Sequence, residues 1–301
     1  MRSSACKFEI RDSRFEICIA AVLICLLQMG TSAQTVKRRV PIFRQIDHIL
    51  IESKDPKALF SFFSDILRLP VDSPFSGNQG FVSAGNVNLE VFRFPEQQGT
   101  SVWRAPEAHY SGLAFEPNPL PDVLKELQTS GIPYSPPETF ESTLPGGKRG
   151  VASTRVGLPS VSRAGIFVSL LEYSPVFLQV DARRKQLLNQ LAFAKGGPLG
   201  LLSVDEILIA TNNLAKDKEK WGALFGRTAG PERWRAGEGP AIRLVSGSKD
   251  EIREIVFKVE SLDRAKDFLK KNGLLGPASA KDISINPSKV QGLRILIKGN
   301  S

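Results

Sequence analysis

Short apolar runs alternate along the chain with longer segments whose apolar positions repeat at helical spacing. Residues 49–51, 113–115, 207–209 and 255–257 read as strands, and each precedes a segment with the pattern of an amphipathic helix. The first of these segments predicts a helix with one buried face, formed by Leu59, Phe60, Phe63, Ile66 and Leu67. Further short strands are predicted at residues 80–84, 87–92, 165–172, 241–245 and 293–297.

The strand–helix pattern recurs as an internal repeat. The segment IDHILIESKDPKALFSFFSDIL from Ile46 aligns without a gap with VDEILIATNNLAKDKEKWGALF from Val204, so that Asp47 meets Asp205. In the same way GLAFEPNPLPDVLKELQTSGI from Gly112 aligns with EIVFKVESLDRAKDFLKKNGL from Glu254. The first two units also resemble each other. The sequence therefore predicts an α+β fold of four tandem βαβββ units, paired into two cupped-sheet domains.

The repeat also sets the expected domain boundaries. The first domain is predicted at residues 42–176 and the second at residues 201–301, with a linker at 177–200. Helical spacing of apolar residues predicts a helix inside this linker, and Gly196-Gly197-Pro198 predicts a flexible joint after it. Residues 134–158 form a long insert in the second unit. An insert of this length is either a lid or binding loop, or plain irregular surface.

The amino terminus has the order of regions that is typical of a secretory signal peptide. Basic residues precede an apolar run at residues 17–27, and small residues follow it. We expect cleavage after Ala33, an exported (periplasmic or secreted) chain, and no stable membrane insertion once residues 1–33 are removed. A retained membrane anchor is the alternative, because acidic residues dilute the basic region. Cleavage would remove all three cysteines, and with them any disulfide or thiolate ligand.

Charge and motif content narrow the functional classes. The formal net charge is +9, but the basic residues are interspersed, which favours a solvated surface over a nucleic-acid site. The sequence has neither a glycine-rich phosphate loop nor a nucleophile elbow. Only two histidines occur, His48 and His109. We therefore expect a small-molecule ligand and no nucleic acid, while oligomeric state and substrate are not readable from the sequence.

The four-unit pattern, with IDHILI opening the first unit at Ile46, resembles the vicinal oxygen chelate superfamily. That group includes glyoxalase I, extradiol dioxygenases, and the fosfomycin and bleomycin resistance proteins. The resemblance covers about residues 44–298, and residues 77–91 are most similar to the glyoxalase-like members. It implies cupped sheets that bind a small oxygen-rich molecule, and lyase or isomerase chemistry of the glyoxalase type.

Carried over one residue at a time, the resemblance implies that His48, Glu90 and Glu172 are metal ligands. Such a nitrogen and oxygen set suits a divalent ion such as Zn, Mn, Ni or Fe, and Glu172 would be the catalytic proton shuttle. The fourth ligand position holds Gly112, which has no side-chain donor. This loss disfavours a dioxygenase. His109 lies three residues earlier, and only a bulge or loop would bring it to the same face of the strand.

The second half departs from this pattern. Glu206 stands at the position of His48, Glu254 at that of Gly112 and Lys298 near that of Glu172, while Arg243 lies in a strand without a match for Glu90. We expect a degenerate domain with a structural or interaction role. For the whole chain, a metal-free binding module of the resistance type and a non-catalytic scaffold are the alternatives to a metal-dependent enzyme.

Overall fold

In residues 41–93, 107–225 and 232–300, which the computed structural model describes, fifteen strands form one mixed sheet and five α-helices accompany it. The α+β class is confirmed. The expected signal peptide at residues 1–33 lies outside the described residues. Among the residues that are described, none of the helices combines the length and the apolar character needed to cross a membrane.

The first half of the chain carries ten elements up to its eighth strand. They are β1 Phe43–Glu52, α1 Pro56–Ser61, β2 Val71–Ser76, β3 Gln79–Ser83, β4 Asn88–Phe92, β5 His109–Pro117, α2 Leu120–Thr129, β6 Glu138–Thr143, β7 Arg149–Gly157 and β8 Phe167–Tyr173. A π-helical turn at Phe62–Ile66 continues α1. The insert expected at residues 134–158 is mainly the hairpin of β6 and β7.

The second half repeats the order after helix α3, Val180–Phe193. Its elements are β9 Leu201–Thr211, α4 Leu214–Phe225, β10 Arg233–Arg235, β11 Ala241–Ser246, β12 Glu251–Val259, α5 Leu262–Lys271, β13 Leu275–Ala278, β14 Asp282–Ile285, a 3₁₀ turn Pro287–Lys289 and β15 Ile295–Gly299. Three of the four strand–helix sets continue with three strands, and the set opened by β9 continues with two described strands.

The local sequence explains why helix α1 begins at Pro56. It also explains why one residue of its predicted buried face is exposed. The Asp55 side chain accepts a hydrogen bond from the N–H of Ala58 at 3.0 Å, and Pro56 occupies the first helical position. Leu67 is fully buried as predicted, but Ile66 is 43% exposed, so its predicted burial is wrong. The reason is the π turn, in which the N–H of Leu67 bonds to the carbonyl of Phe62 and the extra residue shifts the helical register.

The sheet joins the two halves through β5 and β12. Parallel pairing links β1 to β4, β5 to β8, β9 to β11 and β12 to β15, while β1 pairs antiparallel with β5 and β9 with β12. Ile252 of β12 pairs with Tyr110 of β5, which makes the sheet continuous. The boundaries of two separate domains remain a prediction.

Helix α3 lies within the predicted linker and contacts the first half. The Arg183 Nη2 atom donates to the backbone oxygen of Asp72 at 2.6 Å, and Arg184 donates to Glu116 at 2.8 Å. The glycines after the helix adopt left-handed conformations in a turn that precedes β9. The linker helix is therefore fixed by ion pairs to strands of the first half.

Candidate ligand-binding cup

His48 lies between two carboxylates on the concave side of the first half. Its Nδ1 atom is 2.7 Å from Oδ2 of Asp47, and its Nε2 atom is 3.1 Å from Oε2 of Glu90. The parallel register of β1 and β4, which pairs Leu50 with Glu90, brings the predicted residues His48 and Glu90 together. All three side chains are at least 86% buried, so the cluster is shielded from bulk water.

A β-bulge accounts for the contact between the consecutive residues Asp47 and His48. Ile46 pairs with Phe115 and His48 pairs with Ala114, so that Asp47 is an extra residue in β1. A bulge changes the direction of the side chains around it, and this one lets Asp47 reach the imidazole that follows it. Asp47 was not predicted from the sequence to be a site residue, although its alignment with Asp205 was the available signal.

Burial and the two carboxylates act in opposite directions on the charge of His48. Desolvation disfavours the imidazolium, but hydrogen bonds to Asp47 and Glu90 outweigh it and raise the pKa of His48 to about 10. The side chain is therefore positively charged at neutral pH. Two carboxylates and one imidazolium leave a single excess negative charge on this part of the cup.

Tyr173 completes the cluster from β8. Its hydroxyl donates a hydrogen bond to Oδ2 of Asp47 at 3.1 Å. Burial, reinforced by the negative charge of Asp47, raises the pKa of Tyr173 well above its usual value of 10, so the phenol stays protonated. Asp47 thus accepts from a phenol while it faces the imidazolium. Tyr173 was not identified from the sequence as a site residue.

Beside this cluster, Asp72 connects strand β2 to helix α3. Its carboxylate forms an ion pair with Arg183 and accepts a hydrogen bond from Nδ2 of Asn88 at 2.9 Å. Burial raises the pKa of Asp72, against the opposing effect of Arg183. A cavity of about 290 Å³ lies here, with Asp47, Tyr173 and Arg183 among its lining residues.

The cup itself has a volume of about 890 Å³ and contains His48, Glu90 and Tyr173 in its lining. The ring of Phe81 meets the His48 ring edge to face, with centroids 5.6 Å apart. On the opposite wall the guanidinium of Arg155 lies 4.9 Å from the ring centre of Phe140 and 5.4 Å from that of Phe167. Phe140 and Phe167 are 37% and 39% exposed, so two apolar ring surfaces face the cup.

The structure does not bring Glu172 to His48 and Glu90. Leu171 and Tyr173 line the cup, and strand alternation therefore turns Glu172 to the other face of β8. There its Oε1 atom accepts a hydrogen bond from the backbone N–H of Leu120 at 2.7 Å, at the start of α2. Glu172, the expected metal ligand and proton shuttle, therefore binds the N-terminus of helix α2 and does not face the cup.

Gly112 and His109 are explained by the packing and register of β5. A Cβ atom at Gly112 would lie 2.2 Å from the carbonyl oxygen of Phe167, so no side-chain donor fits there. Leu50 pairs with Gly112 and Ile51 with Tyr110, which makes Ser111 a second bulge. His109 consequently lines the cup, 3.5 Å from Glu52, where a continuous strand would have placed it on the opposite face.

Comparison with solved structures places this geometry among known folds. Homoprotocatechuate 2,3-dioxygenase of Arthrobacter globiformis aligns with a TM-score of 0.54 at 14% identity, over 88% of this chain and 82% of the other. The enzyme of Brevibacterium fuscum in complex with 3,4-dihydroxyphenylacetate aligns with a TM-score of 0.54 at 13% identity, over 88% and 83%. These enzymes are extradiol dioxygenases of the vicinal oxygen chelate superfamily.

The chain has the vicinal oxygen chelate fold. A room-temperature structure of the extradiol ring-cleaving dioxygenase from Brevibacterium fuscum gives the same result, with a TM-score of 0.54 at 14% identity over 88% of this chain and 74% of the other. No protein-family model matches the sequence, and no curated protein matches it significantly. At this level of identity the likeness establishes the fold, and function must be argued from the cup.

The metal ligand set that a vicinal oxygen chelate fold implies does not assemble in this cup. Of the three predicted ligands, only His48 and Glu90 meet, while Glu172 serves helix α2 and Gly112 leaves no room for a donor. Within the described residues, no group of three or more His, Cys, Asp or Glu side chains is arranged to hold a metal ion. Catalytic metal sites commonly have three protein ligands, and this donor set falls short of that number.

Proposed function

We propose that the cup binds a small hydroxylated aromatic molecule directly, through protein groups alone. The observation that carries this proposal is the buried pair of His48 and Glu90, 3.1 Å apart, on the floor of a cleft of about 890 Å³. Both N–H groups of the imidazolium face carboxylates, Nδ1 facing Asp47 and Nε2 facing Glu90. The remaining lone pairs of the Glu90 carboxylate can accept hydrogen bonds from adjacent ligand hydroxyls.

The charge of the floor favours neutral hydroxyl groups. Asp47 and Glu90 outnumber the single positive charge of His48, so a phenolate or carboxylate placed there would be repelled. A hydroxyl group can donate to a remaining lone pair of Glu90 without this cost. Hydrogen bonds that involve a charged group in a shielded site are the strong ones. A ligand with two neighbouring hydroxyls therefore matches the floor.

The walls favour a flat ring. Phe81 stands against His48, and Phe140 and Phe167 expose ring surface toward the same space. Aromatic faces stack on planar ligands at little entropic cost. Arg155, which lies over two of these rings and pairs with Glu138 at 2.7 Å, would attract an acidic substituent near the wall. The 3,4-dihydroxyphenylacetate named in the Brevibacterium fuscum complex combines these features.

The finer expectations from the sequence keep the status of predictions. Lyase or isomerase activity of the glyoxalase type would require a metal-binding set that His48 and Glu90 alone do not supply. Export of the chain and a scaffolding role are likewise untested predictions. Direct binding of a ligand requires only groups that the cup already presents, and it agrees with the metal-free alternative.

The proposal is tested with three related compounds on the full chain by isothermal titration calorimetry. Catechol supplies both the ring and the hydroxyls, its dimethyl ether lacks the donors, and cyclohexanediol lacks the flat ring. We expect saturable binding of catechol and at least about tenfold weaker binding of the other two, since each loses one class of contact. Equal binding of all three compounds, or no binding of any, would contradict the proposal.

A further inference from the structure

Strands β9 and β11 repeat the register of β1 and β4 with the charges exchanged. Glu206 pairs with Ala241 in β11 as His48 pairs with Asn88 in β4. Two residues further along, Arg243 faces Leu208 of β9 in the position that Glu90 holds against Leu50. The imidazolium and the carboxylate of the first cup are thus replaced by a carboxylate and a guanidinium, respectively.

The bulge next to the site is also repeated. Val204 pairs with Phe257 and Glu206 with Val256, so Asp205 is an extra residue in β9, as Asp47 is in β1. Two acidic residues therefore stand side by side on this strand. The sequence predicted a loss of pattern in the second half, and the structure shows that the positions are kept while their chemistry changes.

Two arginines pair with Glu206, and a third pairs with the neighbouring Asp205. The side chain of Glu206 is 10% exposed, with Nε of Arg233 at 2.8 Å from Oε1 and Nε of Arg243 at 3.2 Å from Oε2. Asp205 lies 3.7 Å from Nη2 of Arg233 and 3.5 Å from Nη2 of Arg235. Three guanidiniums and two carboxylates leave one excess positive charge. The buried carboxylate of Glu206 thus offsets the repulsion between the guanidinium groups of Arg233 and Arg243.

The terminal amino groups of two arginines form no hydrogen bond within the described part of the chain. Arg233 and Arg243 approach Glu206 through Nε, and the one ion-pair contact that their Nη atoms make among the described residues is that of Arg233 Nη2 with Asp205 at 3.7 Å. Their side chains are 44% and 38% exposed, so these groups reach solvent. Arg235 differs, because its Nη1 donates to the carbonyl of Gly239 at 2.8 Å.

We propose that Arg233 and Arg243 form a second binding site, for the carboxylate or phosphate group of a small anion. The end of a guanidinium presents two parallel N–H groups that match the oxygens of such a group. Glu206 acts as a positioning residue through charge, since its two carboxylate oxygens lie 2.8 and 3.2 Å from the Nε atoms of the two arginines and not at their outer ends. This site is independent of the proposed cup ligand.

The test is calorimetric titration of the full chain with inorganic phosphate and, separately, with succinate. We expect saturable binding of at least one anion, with a Kd that rises about tenfold or more in Arg233→Gln and in Arg243→Gln. Arg253→Gln is the matched control, because this arginine lies on neighbouring β12, with its Nε 3.9 Å from Glu251, and carries the same charge. Binding of phosphate alone would assign a phosphoryl ligand, and binding of succinate would assign a carboxylate.

No saturable binding of either anion would overturn the proposal, as would an equal loss in Arg253→Gln, which would assign the effect to net charge. Circular dichroism checks that each variant is folded. If either site variant fails to fold, the other one decides, because each removes one of the two guanidiniums. Catechol binding in the first cup is expected to be unchanged in both variants, so failure of this proposal is separate from failure of the other.

Discussion

The carboxylate of Glu172 accepts a hydrogen bond at 2.7 Å from the backbone N–H of Leu120, the first residue of helix α2. Pro119, which precedes the helix, provides no side-chain cap. A carboxylate at a helix N-terminus satisfies a free N–H and interacts favourably with the helix dipole. Glu172 thus stabilises the packing of the N-terminus of helix α2 against strand β8.

Removal of this carboxylate should therefore lower stability without affecting the cup. We expect Glu172→Ala to lower the free energy of unfolding by about 1 kcal/mol, as for loss of a helix cap. Urea denaturation measures this change, and calorimetry with catechol is expected to give an unchanged Kd. A large loss of catechol binding in a folded Glu172→Ala protein would instead place Glu172 in the site.

Gly112 should resist substitution because a backbone atom occupies the space of a side chain. The Cβ atom of Gly112→Ala would lie 2.2 Å from the carbonyl oxygen of Phe167. We expect a loss of about 1–3 kcal/mol in the free energy of unfolding, since strands β5 and β8 must move apart. Gly222→Ala is the control, because nothing lies within 4 Å of the added methyl in helix α4, and it is expected to stabilise the protein slightly.

The raised pKa of His48 predicts a specific dependence of stability on pH. Its folded pKa is about 10 against 6.5 for the free side chain, so the protonated form is stabilised by folding. This contribution is fully present below pH 6.5 and is lost as the pH rises through 10. Urea denaturation between these pH values should show it, and the slope should be smaller in His48→Gln. An unchanged slope in this variant would contradict the assignment.

The ion pair between Arg183 and Asp72 should hold helix α3 against strand β2. Asp72 is 7% exposed at its side chain, so Arg183→Gln would leave a buried carboxylate without its main partner. We expect the free energy of unfolding to fall by about 2 kcal/mol. The double variant with Asp72→Asn should recover part of this loss. Strictly additive losses in the double variant would show that the pair is not coupled.

The sequence was sufficient for the fold class because apolar periodicity is determined by burial. Leu59 and Phe63 recur at helical spacing because one face of their helix is buried. The two repeats arise in the same way, since each strand–helix unit must bury apolar residues in the core. His48 and Glu90 were identified through the family resemblance, and the parallel register of β1 and β4 confirms that they meet. Whether they act together on a ligand stays a prediction.

The positions of the remaining site residues could not be predicted, because they depend on irregularities in the strands that the spacing of apolar residues does not reveal. One extra residue in β1 brings Asp47 to His48, and one extra residue in β5 turns His109 into the cup. The π turn likewise exposes Ile66. At the end of β8 successive side chains point to opposite faces of the sheet, so Tyr173 faces the cup and Glu172 faces away from it. A shift of one residue thus decides which of the two joins the site.

The central claim is that the cup binds its ligand through the carboxylate of Glu90, which lies 3.1 Å from His48, without a metal ion. Calorimetric titration of the full chain with 3,4-dihydroxyphenylacetate, after treatment with EDTA, tests it most directly. The account predicts saturable binding in EDTA, weakened about tenfold or more in Glu90→Gln and unchanged in Glu260→Gln, whose carboxylate is exposed near helix α5. Binding that appears only after a divalent metal is added back, or that survives Glu90→Gln unchanged, would contradict it.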